Sequence, residues 1–189
     1  MLFGTLAYRR YWLDIGNKEI QPNRWSWLVW SVTTMVEAST YFANNLDWLE
    51  AVPFFVSGLA CVVVTITIWH KAKFEWPDPV EAVCVLAATA ATILWLCFHL
   101  TWWAHVIVIL AVPVAFWPTW QKAWHCPKNE QTPAWMLWTI GDALALVVVL
   151  MRMDSWSDWQ ELPYAVIELA CHGAMWLIIK RCVAKKGAT

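Results

Sequence analysis

The chain has 189 residues, of which 60% are hydrophobic and 14% charged, and it carries 18 Trp. Soluble domains run near 45–50% apolar and about 25% charged, so this composition excludes an ordinary soluble domain and points to helices that face lipid. A formal net charge of −1 offers no basic footprint for nucleic acid, and nine Pro with six Gly are too few for a collagenous or disordered chain.

In chain order, Met1 to Ile15 opens with the apolar run MLFGTLAY and meets Arg9 and Arg10 too early to cross a bilayer, which takes about 20 mostly apolar residues. The charges follow the apolar run and no small-residue cleavage site appears, so this is a short N-terminal helix and not a signal peptide. Six stretches are long enough to cross: Trp25 to Ala43, Trp48 to Trp69, Pro79 to Phe98, Trp102 to Trp120, Pro133 to Met151 and Leu162 to Ile179. The expected class is therefore an all-α integral membrane protein with six full transmembrane helices plus a short first one.

Cytoplasmic loops next to membrane spans collect Lys and Arg. With alternating loops, Arg9, Arg10, Lys18, Arg24, Lys71, Lys73, Lys122, Lys128, Lys180, Arg181, Lys185 and Lys186 share one side and only Arg152 lies opposite. That split puts the C-terminus in the cytoplasm, and the N-terminus outside if the first helix spans; a plasma (inner) membrane is expected. The opposite loops carry Asp47, Glu50, Asp154, Asp158 and Glu161. Cys61, Cys84, Cys97 and Cys171 fall within spans and Cys126 and Cys182 on the reducing side, so no disulfide is expected. His125 and Cys126 have no CxxC or HxxxH partner, and neither a metal nor a cofactor is assigned.

Laid on itself, the chain shows a repeat. Pro53 to Cys61, PFFVSGLAC, matches Pro163 to Cys171, PYAVIELAC, at an offset of 110. At an offset of 108, Trp27 and Trp30 in WLVW fall on Trp135 and Trp138 in WMLW, each preceded by a polar loop with a nearby Pro. Pro79 to Phe98 has no counterpart, which gives a 3+1+3 layout of parallel triple-helix repeats: 1–73, a linking helix in 74–100, 101–183, and a tail at 184–189.

This layout resembles the MtN3/PQ-loop superfamily, which includes the SWEET sugar carriers. The better match is FWPTWQKAWHCPKNEQTPAWMLW, Phe116 to Trp138, which looks like a PQ-loop with Thr119 where Gln would stand; YRRYWLDIGNKEIQPNRWSWLVW keeps the basic loop and the Trp entry but has no Pro at its helix end. The resemblance implies a carrier in which two three-helix repeats rock about a central site. It does not carry sugar over as substrate, because neither Trp48 to Trp69 nor Leu162 to Ile179 holds the Asn that SWEET-type sites use. The shortened first helix implies either an upstream start or a bundle completed there by a second copy or a partner subunit.

Ionisable side chains at bilayer depth are expensive and mark functional positions. Asp142 lies about 13 Å into its helix from Pro133, and Glu37 about 18 Å from Trp25, at 1.5 Å per residue. With the repeat-related Trp30 and Trp138, which offer faces for a ring-bearing or cationic ligand, these two acids form the expected substrate site. Glu168 and His172, spaced i, i+4, form a proton-responsive pair on one helix face. The competing reading has each acid protonated and bonded to a neighbouring Ser, Thr or backbone carbonyl, fixing helix packing only. His99 and His105 are accounted for by solvation at span ends. Pro113 and Pro118 remove backbone donors from their helix and are hinge candidates.

Trp48, Trp69, Trp76, Trp102, Trp103, Trp120, Trp124, Trp156 and Trp159 stand at span ends, as an interfacial belt requires. Function is then expected to be small-solute transport, as a facilitator or proton-linked carrier, of a small polar or ring-bearing solute; vitamin carriers of the PnuC type are similar in helix order. The alternative is a non-transporting scaffold or subunit that docks another membrane protein. An enzyme is not expected, since no HExxH, GxSxG or nucleotide loop is present.

Overall fold

The structure, a computed structural model, describes residues 2–45, 48–71, 75–153 and 162–186. Asp47, Lys73, Asp154, Trp156, Asp158, Trp159 and Glu161 lie outside the described residues, as do the side chains of Trp48, Glu50, Cys182, Lys185 and Lys186. The described residues are all helical or connecting: α1 Leu2–Gly16, α2 Arg24–Asn45, α3 Trp48–Lys71, α4 Pro79–Leu96, α5 Thr101–His125, a 3₁₀ turn at Pro127–Glu130, α6 Ala134–Arg152 and α7 Leu162–Lys186.

Among the described residues, five segments are long and apolar enough to cross a membrane: Val52–Lys71, Pro79–Leu96, Trp102–His125, Ala134–Arg152 and Leu162–Arg181. These five candidate spans are consistent with a multi-pass helical membrane protein. Five of the six expected spans meet this measure, and α2 is the difference. At 22 residues it is long enough, but Ser26, Ser31, Thr33, Thr34, Glu37, Ser39 and Thr40 dilute its apolar character. Ser26, Ser31, Thr33, Glu37 and Thr40 are buried in the protein. The Ser31, Thr33, Ser39 and Thr40 hydroxyls donate to the Trp27, Val29, Met35 and Glu37 carbonyls at 2.8–3.0 Å, so the polar groups of α2 are satisfied internally.

The chain forms two compact units, Met1–Gln21 with Trp120–Thr189, and Pro22–Thr119. It passes from one to the other at Gln21 and again within α5, one residue after Pro118. In the first unit α1, which the repeat reading groups with α2 and α3, packs along α6, and α6 packs on α7. Gly141 makes the first contact close: a Cβ there would lie 3.5 Å from the Phe3 Cβ, the small-residue approach that membrane helices favour. The far end of α1 is held twice. Tyr11 donates its hydroxyl to Glu130 Oε2 at 2.7 Å, with both residues buried, and the Gln21 N–H donates to the Asn129 carbonyl at 2.8 Å.

In the second unit α2 packs on α3 and α4. Ser31 and Thr65 bring their hydroxyls to 2.7 Å across α2 and α3. Asp78 caps α4 in a capping box: its carboxylate accepts from the Glu81 N–H at 2.8 Å, and Glu81 Oε2 accepts from the Asp78 N–H at 2.8 Å. Glu81 also accepts from Asn23 Nδ2, while Asn23 Oδ1 takes the N–H groups of Trp25 and Ser26, so one hydrogen-bonded cluster starts both α2 and α4. Asp78→Ala is expected to cost about 0.5–2 kcal/mol, read as a lower thermal midpoint in detergent.

α5 runs antiparallel to α2. Ser26 donates to the Ala115 carbonyl at 2.8 Å near one end, and Glu37 meets His105 near the other. At the level of Glu37 and His105, Val36, Ala91, Ala104 and Val108 form an apolar layer. A cavity of about 510 Å³ opens over the Leu28, Val32, Met35 and Ser39 side of α2, with Thr92 and Trp95 of α4 in its wall. The Ser39 and Thr92 hydroxyls bond back to their own helices, which leaves the cavity an apolar lining.

α5 is an unbroken helix through Pro113 and Pro118. At the span ends Trp69, Trp76, Trp102, Trp103 and Trp124 are exposed, as a belt requires. Arg24 lies over the Trp69 ring at 5.4 Å, and Arg181 over Trp124 at 5.1 Å.

Candidate functional site

The site is built on facing turns of α6 and α7 in the first unit. Asp142 is two turns into α6, after the Trp135 and Trp138 entry, and Glu168 and His172 occupy consecutive turns of one face of α7. His172 Nδ1 lies 2.7 Å from Asp142 Oδ2 and 3.5 Å from Glu168 Oε2. Sequence spacing anticipates the Glu168–His172 contact; the shorter bond to Asp142 crosses between helices and has no signature in spacing. The three side chains are 15%, 22% and 17% exposed for His172, Asp142 and Glu168, so the cluster is largely enclosed.

Aromatic rings wall the cluster. Trp138 stacks on the His172 imidazole, with centroids 5.5 Å apart and planes 17° from parallel, and Trp135 lies 5.8 Å from it at 38°. Tyr8 meets Trp138 edge-on at 5.1 Å, and Tyr11 touches Trp135 and Trp138 at 5.6 and 5.5 Å. Both carboxylates approach the same nitrogen, Nδ1, so the trio converges on one proton and leaves no open ring of donors. Among the described residues no group of three or more His, Cys, Asp and Glu is placed to hold a metal ion.

Charge counting sets what this arrangement does. With both carboxyls ionised, these three side chains sum to one negative charge beside a protonated imidazole and to two beside a neutral one. At bilayer depth such a surplus is costly. It is relieved by a proton on a carboxyl or by a cation.

The other expected site residues belong to the second unit. Glu37 is paired with His105, Nδ1 to Oε2 at 3.0 Å, on α2 and α5. Trp30 is buried against Phe116 at 4.5 Å and edge-on to Trp27 at 5.2 Å. The structure thus joins Asp142 and Trp138 to Glu168 and His172, and places Glu37 and Trp30 among other partners. Sequence reasoning missed His105, Tyr8, Tyr11 and Glu130. Of these only His105 left a trace, as an imidazole one turn inside an apolar helix.

No family model, curated protein or solved structure matches this chain. Fold and composition define the class: a tryptophan-rich, all-helical chain whose described residues include five helices long and apolar enough to span a membrane, consistent with a multi-pass membrane protein.

Proposed function

We propose that this protein is a small-solute transporter, working as a proton-linked carrier. The carrying observation is the Asp142–His172–Glu168 cluster: an imidazole between two carboxylates, on two candidate membrane-spanning helices, against the face of Trp138. A site with surplus negative charge at that depth exchanges a proton for a second cation or couples proton release to a conformational step. The 3+1+3 duplication of PQ-loop carriers belongs to this reading. It is supported by the two tryptophan pairs, Trp27 with Trp30 and Trp135 with Trp138, buried and ring-paired at matching turns of α2 and α6. Pro113 and Pro118 are the proposed flexing point, on the helix in which the chain leaves one compact unit for the other. The twelve-to-one distribution of basic residues supports a cytoplasmic C-terminus.

The test screens purified protein, wild type beside Asp142→Asn, for thermal stabilisation by sugars, amino acids, vitamins and nucleosides, then follows uptake of any hit into proteoliposomes. A ligand at 100 times its Kd stabilises by about 2.7 kcal/mol. The expected outcome is a hit whose uptake responds to an imposed pH gradient and falls at least about tenfold in Asp142→Asn. Uptake that ignores the gradient and the substitution removes the cluster from the mechanism. A panel without any hit, with a membrane protein co-purifying in fixed ratio, replaces the carrier by the docking-subunit reading.

A further inference from the structure

A second carboxylate–imidazole pair stands apart from the cluster just described, in the other compact unit. Glu37 of α2 and His105 of α5 approach to 3.0 Å, and their side chains are only 4% and 17% exposed. Their surroundings are apolar on the side of the layer made by Val36, Ala91, Ala104 and Val108, with Val32, Leu94, Trp95 and Ile107 packed against it. The Trp102 ring lies 6.2 Å from the imidazole. Several described charged groups of the neighbouring elements sit elsewhere. Arg24 is about 20 Å back along α2 and lies over Trp69. Asp78 and Glu81 are engaged at the start of α4; His70 and Lys71 close α3, and His99 occupies the turn before α5.

The Glu37 carboxylate faces the His105 imidazole directly, a contact that is an ion pair when the imidazole is charged. Hydrogen bonds tie α2 to α5 at two levels, Ser26 with Ala115 and Thr119, and Glu37 with His105. The first has no titratable member. The second changes with every proton it gains or loses: a protonated Glu37 carboxyl no longer makes an ion pair with the imidazolium.

We propose that Glu37 and His105 form a proton-binding site of their own, and that protonating it loosens the start of α5 from α2. The ligand class is the proton. The inference does not rest on the transport reading, because it concerns different residues in a different unit and needs no substrate.

The experiment is a pH titration of ¹⁵N-imidazole NMR signals in lipid nanodiscs for wild type, Glu37→Gln and Asp142→Asn, with His105→Asn to assign the His105 signal. Glu37→Gln keeps a hydrogen-bonding side chain, so the helix contact survives while the charge is lost. It is expected to move the His105 titration by about one unit or more, the size of a direct charge partner, and to leave His172 in place; Asp142→Asn does the converse. Hydrogen exchange over residues 104–112, corrected for intrinsic rate, is expected to quicken on acidification in wild type and to lose that pH dependence in Glu37→Gln. If His105→Asn does not fold, the exchange measurement on wild type and Glu37→Gln decides alone. A His105 titration unmoved by Glu37→Gln, or exchange in 104–112 with the same pH dependence in both proteins, overturns the proposal. Failure of the solute screen leaves it standing.

Discussion

Trp135→Ala is expected to lower the stability of the protein by about 3–5 kcal/mol, the range for truncating a fully buried aromatic. Trp135 is 1% exposed and shares ring contacts with Tyr11, Trp138 and His172. Between membrane helices there is little hydrophobic drive, so association depends on van der Waals packing. The hole left by an indole therefore cannot be offset by solvent. Its neighbours reach across α1, α6 and α7, and α1 is expected to lose order first. Unfolding in a detergent with graded denaturant measures the loss, and hydrogen exchange in α1 locates it. A deficit below about 1 kcal/mol would falsify the ring packing described above.

The second large effect separates architecture from chemistry within the same cluster. His172→Leu leaves the Asp142 and Glu168 carboxylates facing an aliphatic side chain, and removing one partner of a buried ionic set costs about 3–5 kcal/mol. The deficit at neutral pH is expected to shrink on acidification, because protonating the carboxyls removes both their repulsion and their desolvation cost. Asp142→Asn behaves differently. Its amide oxygen still accepts the Nδ1–H bond now 2.7 Å long, so stability changes by only about 1 kcal/mol while one charge disappears. Comparing thermal midpoints of the two variants at pH 5 and pH 8 checks this. Equal losses, or a His172→Leu deficit that grows in acid, would contradict the arrangement.

Helix positions were legible because each span is a long apolar run between Pro, Trp or charged stops. Expected Pro133 to Met151 stands beside Ala134–Arg152, and Trp25 to Ala43 beside Arg24–Asn45. The helices α5 and α7 run past their expected ends at Trp120 and Ile179. In both, the continuation is amphipathic, with Lys122, His125 and Lys180 among apolar residues, and hydropathy undercounts such turns. The Glu168–His172 pair was readable because i, i+4 neighbours are fixed by helix geometry alone. Asp142 with His172, Glu37 with His105 and Tyr11 with Glu130 were not, since which helices lie side by side is a tertiary fact that periodicity does not encode. The polar face of α2 shows the same limit: composition alone cannot distinguish a weak span from a helix whose hydroxyls turn inward.

The placement of α1 against α6 bears on biosynthesis. During synthesis α1 leaves the ribosome before α6, and Glu130 and the α6 surface that complete its packing follow more than a hundred residues later, as the Tyr11–Glu130 separation of 119 records. At about 5–20 residues per second that interval is on the order of ten seconds. Until then Tyr8 and Tyr11 lack their tryptophan partners, and the nascent helix depends on lipid, the translocon or a chaperone to keep that face covered. Closure of the first unit is then a late, long-range event, the kind that makes a fold slow to assemble and sensitive to truncation of its final helices.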